Sequence, residues 1–400
     1  MTESLPLWVH LLRVVVAFLI FLLTTALLIW AERRIVSLMQ SRVGPNRVGP
    51  LGILQTLVDG IKMFFKEDPT PRMVDRFVYT LAPALTAVVG FLAIAVIPYG
   101  GEVTLFGETF TLQVADLNVG VLWFLAMGSI HVYGVVLAGW ASQSPYPLMG
   151  GVRSSAQMIS YEIAQGLAVA SVFVYTGSLR VSDIVAAQAN DPGLIAGMPN
   201  WYLVPLFPAF VVFLVGMVAE AGRPPFDLAE AEGELVAGFL TEYSGMRFGM
   251  FMLAEFMNVV TMSALMVTLF FGGPSGPTFG LPDSIAWVLP ILYFLGKTSV
   301  FIFLFVLLRA SLPRMRYDSL MNLGWKVLIP IGLVWVMATA AMVVVNDQAA
   351  QNARFVIAGV GIGVAALLYL LAPLFSRDED GHDARPGAAP TDAAIEEVSA

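Results

Sequence analysis

Six carboxylates and one arginine crowd a short connector between two long apolar runs, at residues 219–245. Carboxylates this close repel one another when ionised, which raises some of their pKa values and makes the group titrate as a coupled unit. A connector between hydrocarbon-soluble segments has no structural need for so much negative charge, so we consider proton handling as its chemistry. The acidic residues are Glu220, Asp227, Glu230, Glu232, Glu234 and Glu242, and the basic residue is Arg223.

The alternative for this connector is a solvated acidic loop, which is the usual meaning of a charge run. Apolar residues alternate with the acids, however, and a purely solvated loop would not carry them. The Arg-Pro-Pro sequence at 223–225 ends any helix that arrives from the preceding apolar run, which places its guanidinium to neutralise part of the cluster. Further along, Glu230 and Glu234 share one helical face, whereas Glu232 points away from it.

Three more ionisable residues, Glu162, Glu255 and Lys297, lie within apolar runs and away from their ends. An ionisable group is expensive at such a depth in a membrane, so each is expected to face the protein interior or a water-filled cavity. A structural buried ion pair is the alternative. We favour a functional role for the two carboxylates and leave both readings open for Lys297. His131 also lies in an apolar run, where a satisfied interior histidine is the commoner case, and it is left unassigned.

The elements that must position these side chains are membrane helices. Hydrophobic residues make up 58% of the sequence and charged residues 12%, and the mean hydropathy is +0.79, which excludes an ordinary soluble domain. Backbone amides in lipid must be satisfied within their own segment, so such runs form helices. The sequence predicts an all-α, polytopic membrane protein with about nine transmembrane helices. The predicted spans are Val14–Trp30, Phe77–Ile97, Val119–Trp140, Met158–Tyr175, Trp201–Ala219, Phe248–Phe271, Ile285–Leu308, Val327–Val345 and Phe355–Phe375.

Lysine and arginine are distributed unevenly between the two sides of this predicted domain, which extends over residues 1–375. Most of them fall in the loops 31–77, 142–155, 220–247 and 309–326. The positive-inside rule places these loops in the cytoplasm and the N-terminus outside. Residues 376–400 are acidic and have too little apolar content to fold, so they predict a disordered cytoplasmic tail.

The first cytoplasmic loop predicts an amphipathic helix after a proline- and glycine-rich turn at 44–50. Apolar residues recur at helical spacing through 54–65, while Asp59 and Lys62 lie on the opposite face. On pattern alone we favour a helix that lies on the membrane surface over one whose charged face points at a chemical site. The last loop, 309–326, carries a basic patch suited to lipid headgroups or an acidic partner surface.

The chain contains no cysteine, and its three histidines are His10, His131 and His382. An iron–sulfur cluster requires cysteine thiolates, and a haem requires an axial ligand in a defined pocket. We therefore expect no redox centre and no metal site on this chain.

Several of these segments resemble the quinone-site membrane subunit, designated H, of respiratory complex I, the proton-pumping NADH:quinone oxidoreductase. The matching stretches occur in the same order and cover most of residues 31–326. They include Glu32-Arg33-Arg34, Arg42 through Gln55, Arg153 through Glu162, Pro225-Phe-Asp-Leu228, Glu242-Tyr-Ser-Gly245 and Pro313 through Asp318. Ala221-Gly222 and Pro224 depart from the residues that the family often has beside the arginine. The ninth span and the acidic tail extend beyond its smaller members.

The resemblance implies a subunit that is essential to the complex but has no catalytic activity by itself. It would lie at the junction of the membrane arm and the peripheral arm. It would form much of the chamber that admits quinone, and it would link quinone reduction to proton channels through an acidic path. The resemblance therefore favours a functional role for Asp59 and Lys62 over a surface role. The implied chamber residues are Arg33, Arg34, Arg42, Arg47, Asp59, Lys62, Glu67, Arg314 and Arg316. The implied path consists of Glu162, Glu220, Asp227, Glu230, Glu232, Glu234 and Glu255, with Arg153, Arg223 and Lys297 in support.

The same resemblance implies the cofactors and partners. Quinone, either ubiquinone or menaquinone, would be the substrate, and this chain would bind no cofactor. NADH, FMN and iron–sulfur clusters would lie on partner subunits. The partners would be the peripheral quinone-site and iron–sulfur subunits, the small membrane subunits and the antiporter-like subunits, together with membrane lipid and no nucleic acid.

Three other functions remain open at this point. Membrane subunits of proton-pumping hydrogenases share parts of these motifs, although the arginine-rich first loop argues for quinone. A stand-alone ion transporter would use Lys297, Glu255 and Glu162 as a relay, but the sequence shows none of the internal repeats common among transporters. A purely structural anchor for a soluble enzyme would tolerate neutralisation of the acidic residues.

Overall fold

A computed structural model describes residues 6–105, 108–190, 199–228, 232–277 and 287–348. The described part of the chain is a bundle of long helices with one small hairpin, which confirms the all-α membrane class. In chain order the helices are α1 (Leu7–Met39), α2 (Gln55–Phe65), α3 (Arg76–Ala93), α4 (Gly120–Ala141), α5 (Pro145–Thr176), α6 (Val181–Asn190), α7 (Phe207–Glu220), α8 (Glu232–Leu235), α9 (Gly245–Phe270), α10 (Val288–Ser311), α11 (Tyr317–Asn322) and α12 (Ile329–Gln348).

Seven helices among the described residues are long and apolar enough to cross a membrane. The predicted count of about nine spans is therefore not exact. The fifth predicted span, 201–219, contains α7, which has only 14 residues and is roughly 21 Å long at about 1.5 Å per residue. Its first residues form turns up to Leu206, because Pro208 favours a helix start at this point. The ninth predicted span, 355–375, and the predicted tail lie outside the described residues.

Two helices begin or end well inside segments that were predicted to be loops. Helix α5 begins at Pro145, so most of the predicted loop 142–155, including Arg153, is helical. Proline is favoured in the first turn because its missing N–H has no partner there in any case. Helix α1 continues past the predicted end at Trp30 as far as Met39. This extension carries Glu32, Arg33 and Arg34 on a rigid element.

The amphipathic helix of the first loop is confirmed as α2. Its apolar side chains remain open to the surroundings, with Leu57 63% and Phe64 69% exposed, as expected for a helix that lies on a membrane surface. Its opposite face contacts α1, where Asp59 pairs with Arg33. The exposed apolar face agrees with a helix that lies on the membrane surface, and the charged face is directed at α1.

The core lies where α5, α7 and α9 meet, and it includes the buried side chains of Tyr161, Phe213 and Met257. Helix α4 packs between α3 and α5, and α12 covers α5 from another side. A hairpin of β1 (Glu102–Leu105) and β2 (Glu108–Thr111) connects α3 to α4, with Val103 opposite Phe110. The sequence analysis missed this hairpin because each strand has only four residues.

Candidate functional site

A cavity of about 540 Å³ lies between α1, α9, the segment before α9 and the end of α10. We call it the main cavity. Residues spaced by three or four positions along α1 form one wall, because such residues share one face of a helix. The cavity wall consists of Ile29, Glu32, Arg33, Val36, Ser37, Gln40, Arg42, Arg223, Ala237, Leu240, Phe248, Met252, Glu255, Phe256 and Arg309.

Four charged side chains in this wall form a chain of ion pairs that joins three helices and the acidic connector. Arg309, in the last turn of α10, donates a hydrogen bond to Glu32 of α1. Arg223 Nη1 lies 3.6 Å from Glu32 Oε1, and its Nη2 lies 3.3 Å from Glu255 Oε1 on α9. We call Arg309, Glu32, Arg223 and Glu255 the ion-pair chain.

The ion-pair chain is buried at its centre, where Glu32 is 7% exposed and Arg223 is 4% exposed. The Arg223 guanidinium also lies 4.7 Å from the centre of the Phe256 ring, a cation–π contact that holds its plane. Buried charges are stable only when they are paired and hydrogen-bonded. Arg223 therefore pairs with carboxylates of α1 and α9, whereas the sequence analysis placed it to neutralise part of the connector's own acidic cluster.

Sequence reasoning did not assign a role to Glu32 or Arg309. Glu32 precedes a pair of arginines, and Arg309 lies at the end of an apolar run, so both look like ordinary residues at a membrane boundary. The missed signal was that Glu32 is an acidic residue in an otherwise basic boundary. Such a residue is favourable there only if a cation from another segment neutralises it.

Two small voids continue from the main cavity into the protein. The first, of about 50 Å³, shares Leu240, Met252 and Glu255 with the main cavity and reaches Glu220 and His131. We call it the inner void. Because a water molecule needs roughly 10–15 Å³ of such volume, the inner void has room for more than one water.

The second void, of about 20 Å³, shares His131, Glu220 and Asn258 with the inner void. We call it the deep void, and it has room for one water. It also reaches Gly128 of α4, where an added Cβ atom would lie 3.7 Å from Glu162 Oε1. The voids thus extend from the main cavity towards the membrane carboxylate Glu162.

Glu220 occupies the junction of the two voids, at the last position of α7. It is 3% exposed, and its Oε2 atom has no hydrogen-bond partner among the described residues. Its backbone carbonyl accepts a hydrogen bond of 3.1 Å from Asn258 Nδ2, which fixes the end of α7. A buried polar oxygen without a partner is costly unless a proton or a water satisfies it.

Glu162 lies on α5 and faces α4 across the bundle. The Ser129 hydroxyl donates a hydrogen bond to Glu162 Oε1, so the carboxylate is held on the protein side of its helix. This matches the expectation that a carboxylate within an apolar run faces the interior.

Glu234 has different surroundings. Arg153 Nη1 donates to its Oε2 at 2.7 Å, and Arg314 donates to its Oε1. The side chain of Glu234 is 50% exposed. The hydrogen bond from Arg153 and the positive charge of Arg314 lower the pKa of Glu234, so it is ionised at neutral pH. We call Arg153, Glu234 and Arg314 the outer clamp. It does not line the main cavity or either void.

The predicted chamber residues divide into two groups. Arg33 and Arg42 line the main cavity. Arg33 also donates to Asp59 of α2, and Asp59 accepts from Gln55 Nε2 at 3.0 Å. Burial acts to raise the pKa of Asp59, but the hydrogen bonds and the charge of Arg33 lower it below its ordinary value. The residues outside the cavity wall are Arg34, Arg47, Asp59, Lys62, Glu67, Arg314 and Arg316.

The remaining predicted path residues lie in the connector. Asp227 follows the turn after Arg223 and is partly buried. Glu230 lies outside the described residues, and nothing is described of the Glu232 side chain. Arg34, from the chamber group, donates to the carbonyl of Pro45 at 3.2 Å and so holds the turn of the first loop.

Lys297 binds backbone carbonyls at the end of α9. Its Nζ donates to the carbonyls of Phe271, Gly273 and Ser275 at 2.7, 3.0 and 2.6 Å, which satisfies acceptors that a helix end leaves open. Glu255 lies in the N-terminal half of α9, roughly 20 Å or more away by the rise of a helix. Lys297 therefore caps α9 and is not in contact with Glu255, contrary to what an ion relay would require.

A second large cavity, of about 680 Å³, lies on another face of α1, between α1, α9 and α10. Its wall is almost entirely apolar and includes Phe21, Trp30, Val260, Phe294 and Phe303. A polar headgroup would find few partners there, whereas the main cavity offers arginines and carboxylates.

No group of three or more histidine, aspartate and glutamate residues that could hold a metal occurs in the described part of the chain.

Comparison with known proteins gives two consistent results. A family profile described as NADH dehydrogenase matches residues 12–340. The chain is 49% identical over 370 residues to the NADH-quinone oxidoreductase subunit designated H in Frankia casuarinae, covering 92% of this chain and 80% of that protein. It is also 49% identical over 373 residues to the protein of the same name from Frankia alni, with the same coverage.

Proposed function

The chain belongs to the NADH dehydrogenase family, as a membrane subunit of NADH-quinone oxidoreductase, and we propose that its main cavity forms part of a quinone chamber. We further propose that the two voids carry protons between this chamber and the interior of the membrane. The observation that carries the proposal is continuity: Glu255 lines both the main cavity and the inner void, and Glu220 lines both voids.

The main cavity has the composition of a site for an amphipathic ligand. Its volume of about 540 Å³ lies within the usual range for small-molecule sites, which combine apolar walls with a few polar groups. Phe248, Met252 and Phe256 provide apolar surface, and Arg33 and Arg42 provide hydrogen-bond donors for a quinone oxygen. Partner subunits would supply the electrons, from NADH through FMN and iron–sulfur clusters.

The ion-pair chain would connect quinone chemistry to the voids. Reduction of a quinone to a quinol consumes two electrons and two protons, and each neighbouring group that gives up one of these protons becomes more negative by one charge next to Glu32 and Arg223. A change of charge at one member of a buried chain shifts the proton affinity of the others. Glu255 is the member that also faces the inner void, so it is the point at which the chamber would act on Glu220 and Glu162.

The outer clamp would have a different role within the same function. Glu234 is ionised and held by two arginines, so it serves as a fixed charge that ties the connector to α5 and to the segment before α11. We assign Arg47, Lys62, Glu67 and Arg316 to the mouth of the chamber, where peripheral subunits would complete the quinone site. This arrangement has the large loops and the C-terminal tail in the cytoplasm and the N-terminus outside, in a bacterial plasma membrane.

Glu255→Gln and Glu220→Gln test the proposal in the assembled complex. Inverted membrane vesicles would be assayed for NADH:quinone reductase activity and for proton uptake with a pH-sensitive dye. Because each substitution removes a protonatable group from a continuous path, we expect the loss of proton uptake and a fall in reductase activity of at least about tenfold. The control is Glu242→Gln, which changes a carboxylate of the same connector outside the cavity walls. Unchanged rates and proton uptake in both path variants would support a structural anchor instead.

The stand-alone transporter receives no support from the placement of Lys297, which binds carbonyls instead of joining Glu255 and Glu162. The purified chain in proteoliposomes is therefore expected to conduct no protons in the absence of the partner subunits. A flux measured under those conditions would favour the transporter. Reduction of protons to hydrogen by the purified complex would favour a hydrogenase.

A further inference from the structure

His131 lies at the one place where both voids meet on α4. The residues that line both the inner void and the deep void are His131, Glu220 and Asn258. Only the first two of these have side chains that can take up and release a proton. The proposed acidic path contains no residue on α4, although α4 contributes His131 to both voids and contacts Glu162 through Ser129. We propose that His131 carries protons between Glu220 and Glu162, an inference that rests on the proposed function.

The geometry places His131 one helical turn from the contact with Glu162. Gly128 and His131 are three positions apart on α4, so they share one face and differ by about 4.5 Å along the helix axis. Gly128 opens the deep void, and a Cβ atom there would lie 3.7 Å from Glu162 Oε1. A larger side chain at position 128 would extend into the deep void beside the Glu162 carboxylate. The absence of a side chain at Gly128 therefore keeps the route open.

The other end of the route is Glu220. Its Oε2 atom is buried without a hydrogen-bond partner among the described residues, and the carboxyl shares the walls of both voids with the imidazole. The deep void has room for a water molecule, which would bridge the two groups. The unsatisfied oxygen of Glu220 is therefore the natural donor or acceptor on this side.

The chemistry requires only the two ring nitrogens. One ring position makes a hydrogen bond with the backbone of Thr86 on α3, which orients the ring and leaves the other nitrogen for the voids. The imidazole accepts a proton from the Glu220 carboxyl through water, and Glu220 becomes a carboxylate. The imidazolium then releases a proton to the Glu162 carboxylate, and the neutral ring is restored. Each step moves one proton and no electrons. The carboxylates on either side offset the cost of the transient positive charge.

A satisfied structural histidine is the competing explanation, and it makes a different prediction. A structural role needs only the hydrogen bond to Thr86 and the volume of the ring. Glutamine retains hydrogen-bonding capacity and a similar volume, but it does not carry a proton near neutral pH. His131→Gln therefore preserves a structural role and removes proton transfer.

The experiment measures His131→Gln in the assembled complex in inverted membrane vesicles. We expect normal amounts of complex and normal NADH oxidation with an artificial acceptor that bypasses quinone. Reductase activity with quinone should fall by about tenfold or more, with proton uptake falling in parallel. Normal quinone reduction and normal proton uptake in His131→Gln would overturn the proposal. If this variant fails to assemble, His131→Ala with added imidazole replaces it: recovery of proton uptake supports the proposal, and no recovery in an assembled complex counts against it.

The same experiment separates this inference from the proposed function. Glu220→Gln and Glu162→Gln would be measured alongside. If both glutamate variants lose proton uptake while His131→Gln keeps it, the acidic path is supported and the proposed role of His131 is wrong. If neither glutamate variant loses proton uptake, the path itself is incorrect.

Discussion

The ion-pair chain and the outer clamp use the same residue types in opposite surroundings. In the ion-pair chain, Glu32 and Arg223 are almost completely buried, whereas Glu234 in the outer clamp has half of its side chain exposed. Exposed pairs contribute little, because water screens the attraction and competes for the hydrogen bonds. Members of a buried chain depend on each other, since the loss of one leaves another charge uncompensated. Only the buried group is therefore placed to transmit a change in charge.

The ion-pair chain and the outer clamp also differ in their position relative to the voids. Glu255 belongs to the ion-pair chain and lines the inner void, so in the proposed function a change at the chamber would reach the path through a shared side chain. Glu234 contacts two arginines at the surface and lines no part of that route. Carboxylates that lie close together in the sequence thus have different surroundings, and the roles proposed for them differ accordingly.

The strongest test of this comparison is Arg223→Met. It removes the central cation and leaves Glu32 and Glu255 buried with less compensation, which we expect to cost about 3–5 kcal/mol. The predicted result is a large loss of assembled complex in the membrane and faster thermal inactivation of quinone reductase activity. Arg223→Lys keeps the charge but loses the planar fork that reaches two carboxylates, so its effect should be intermediate. A stable, active Arg223→Met complex would show that the ion-pair chain is dispensable.

Lys297→Met sharpens the comparison, because this cation is largely enclosed but lies away from the voids. Its ammonium group satisfies three backbone carbonyls at the end of α9, and a hydrogen bond to a charged group contributes roughly 1.5–3 kcal/mol. We therefore expect reduced thermal stability of the complex, with the ratio of protons taken up to NADH oxidised unchanged. The ratio would be compared between mutant and wild-type vesicles at equal NADH oxidation rates. A fall in this ratio would mean that Lys297 takes part in coupling.

Local patterns in the sequence predicted much of the fold, because they record which face of a segment is apolar. They identified seven of the membrane helices and α2, and they placed the end of a helix before Pro224. They did not reveal which helices are neighbours. The contact between Glu32 and Arg309 joins residues 277 positions apart, and it exists only because α1 and α10 pack side by side. The role of Lys297 could not be predicted for the same reason. Its three carbonyl partners belong to the segment that follows α9, and the sequence does not show that this segment lies next to α10.

The candidate site was predictable in composition but not in arrangement. The resemblance to a known family supplied the list of acidic and basic residues, and it implied that Glu234 belongs to one path with Glu220 and Glu255. Packing separates them, since the chain turns at the two prolines after Arg223 and again before α9. His131 was unassigned for a related reason. Its sequence neighbours are apolar, and its polar surroundings are contributed by α7 and by the backbone of α3.

The outer clamp should show the smallest effect, and Arg314→Met measures it. Glu234 would lose one of two arginine partners but would keep Arg153 and its contact with solvent. We expect less than a twofold change in quinone reductase activity and no change in thermal inactivation. The pKa of Glu234 is lowered from an ordinary value of 4.5. Any stabilisation by the clamp is therefore complete above that value and is lost only as the pH falls through the lower, folded-state pKa.

Between pH 6 and 8, the difference between Arg314→Met and the wild type should consequently stay constant, because Glu234 remains ionised throughout. The measurement is the rate of thermal inactivation of vesicle-bound complex at several pH values in this range. Arg153→Met is the matched variant, because it removes the other arginine from the same carboxylate. If either variant lost as much thermal stability as Arg223→Met, the comparison would be contradicted. The exposed cluster would then contribute as much to stability as the buried one.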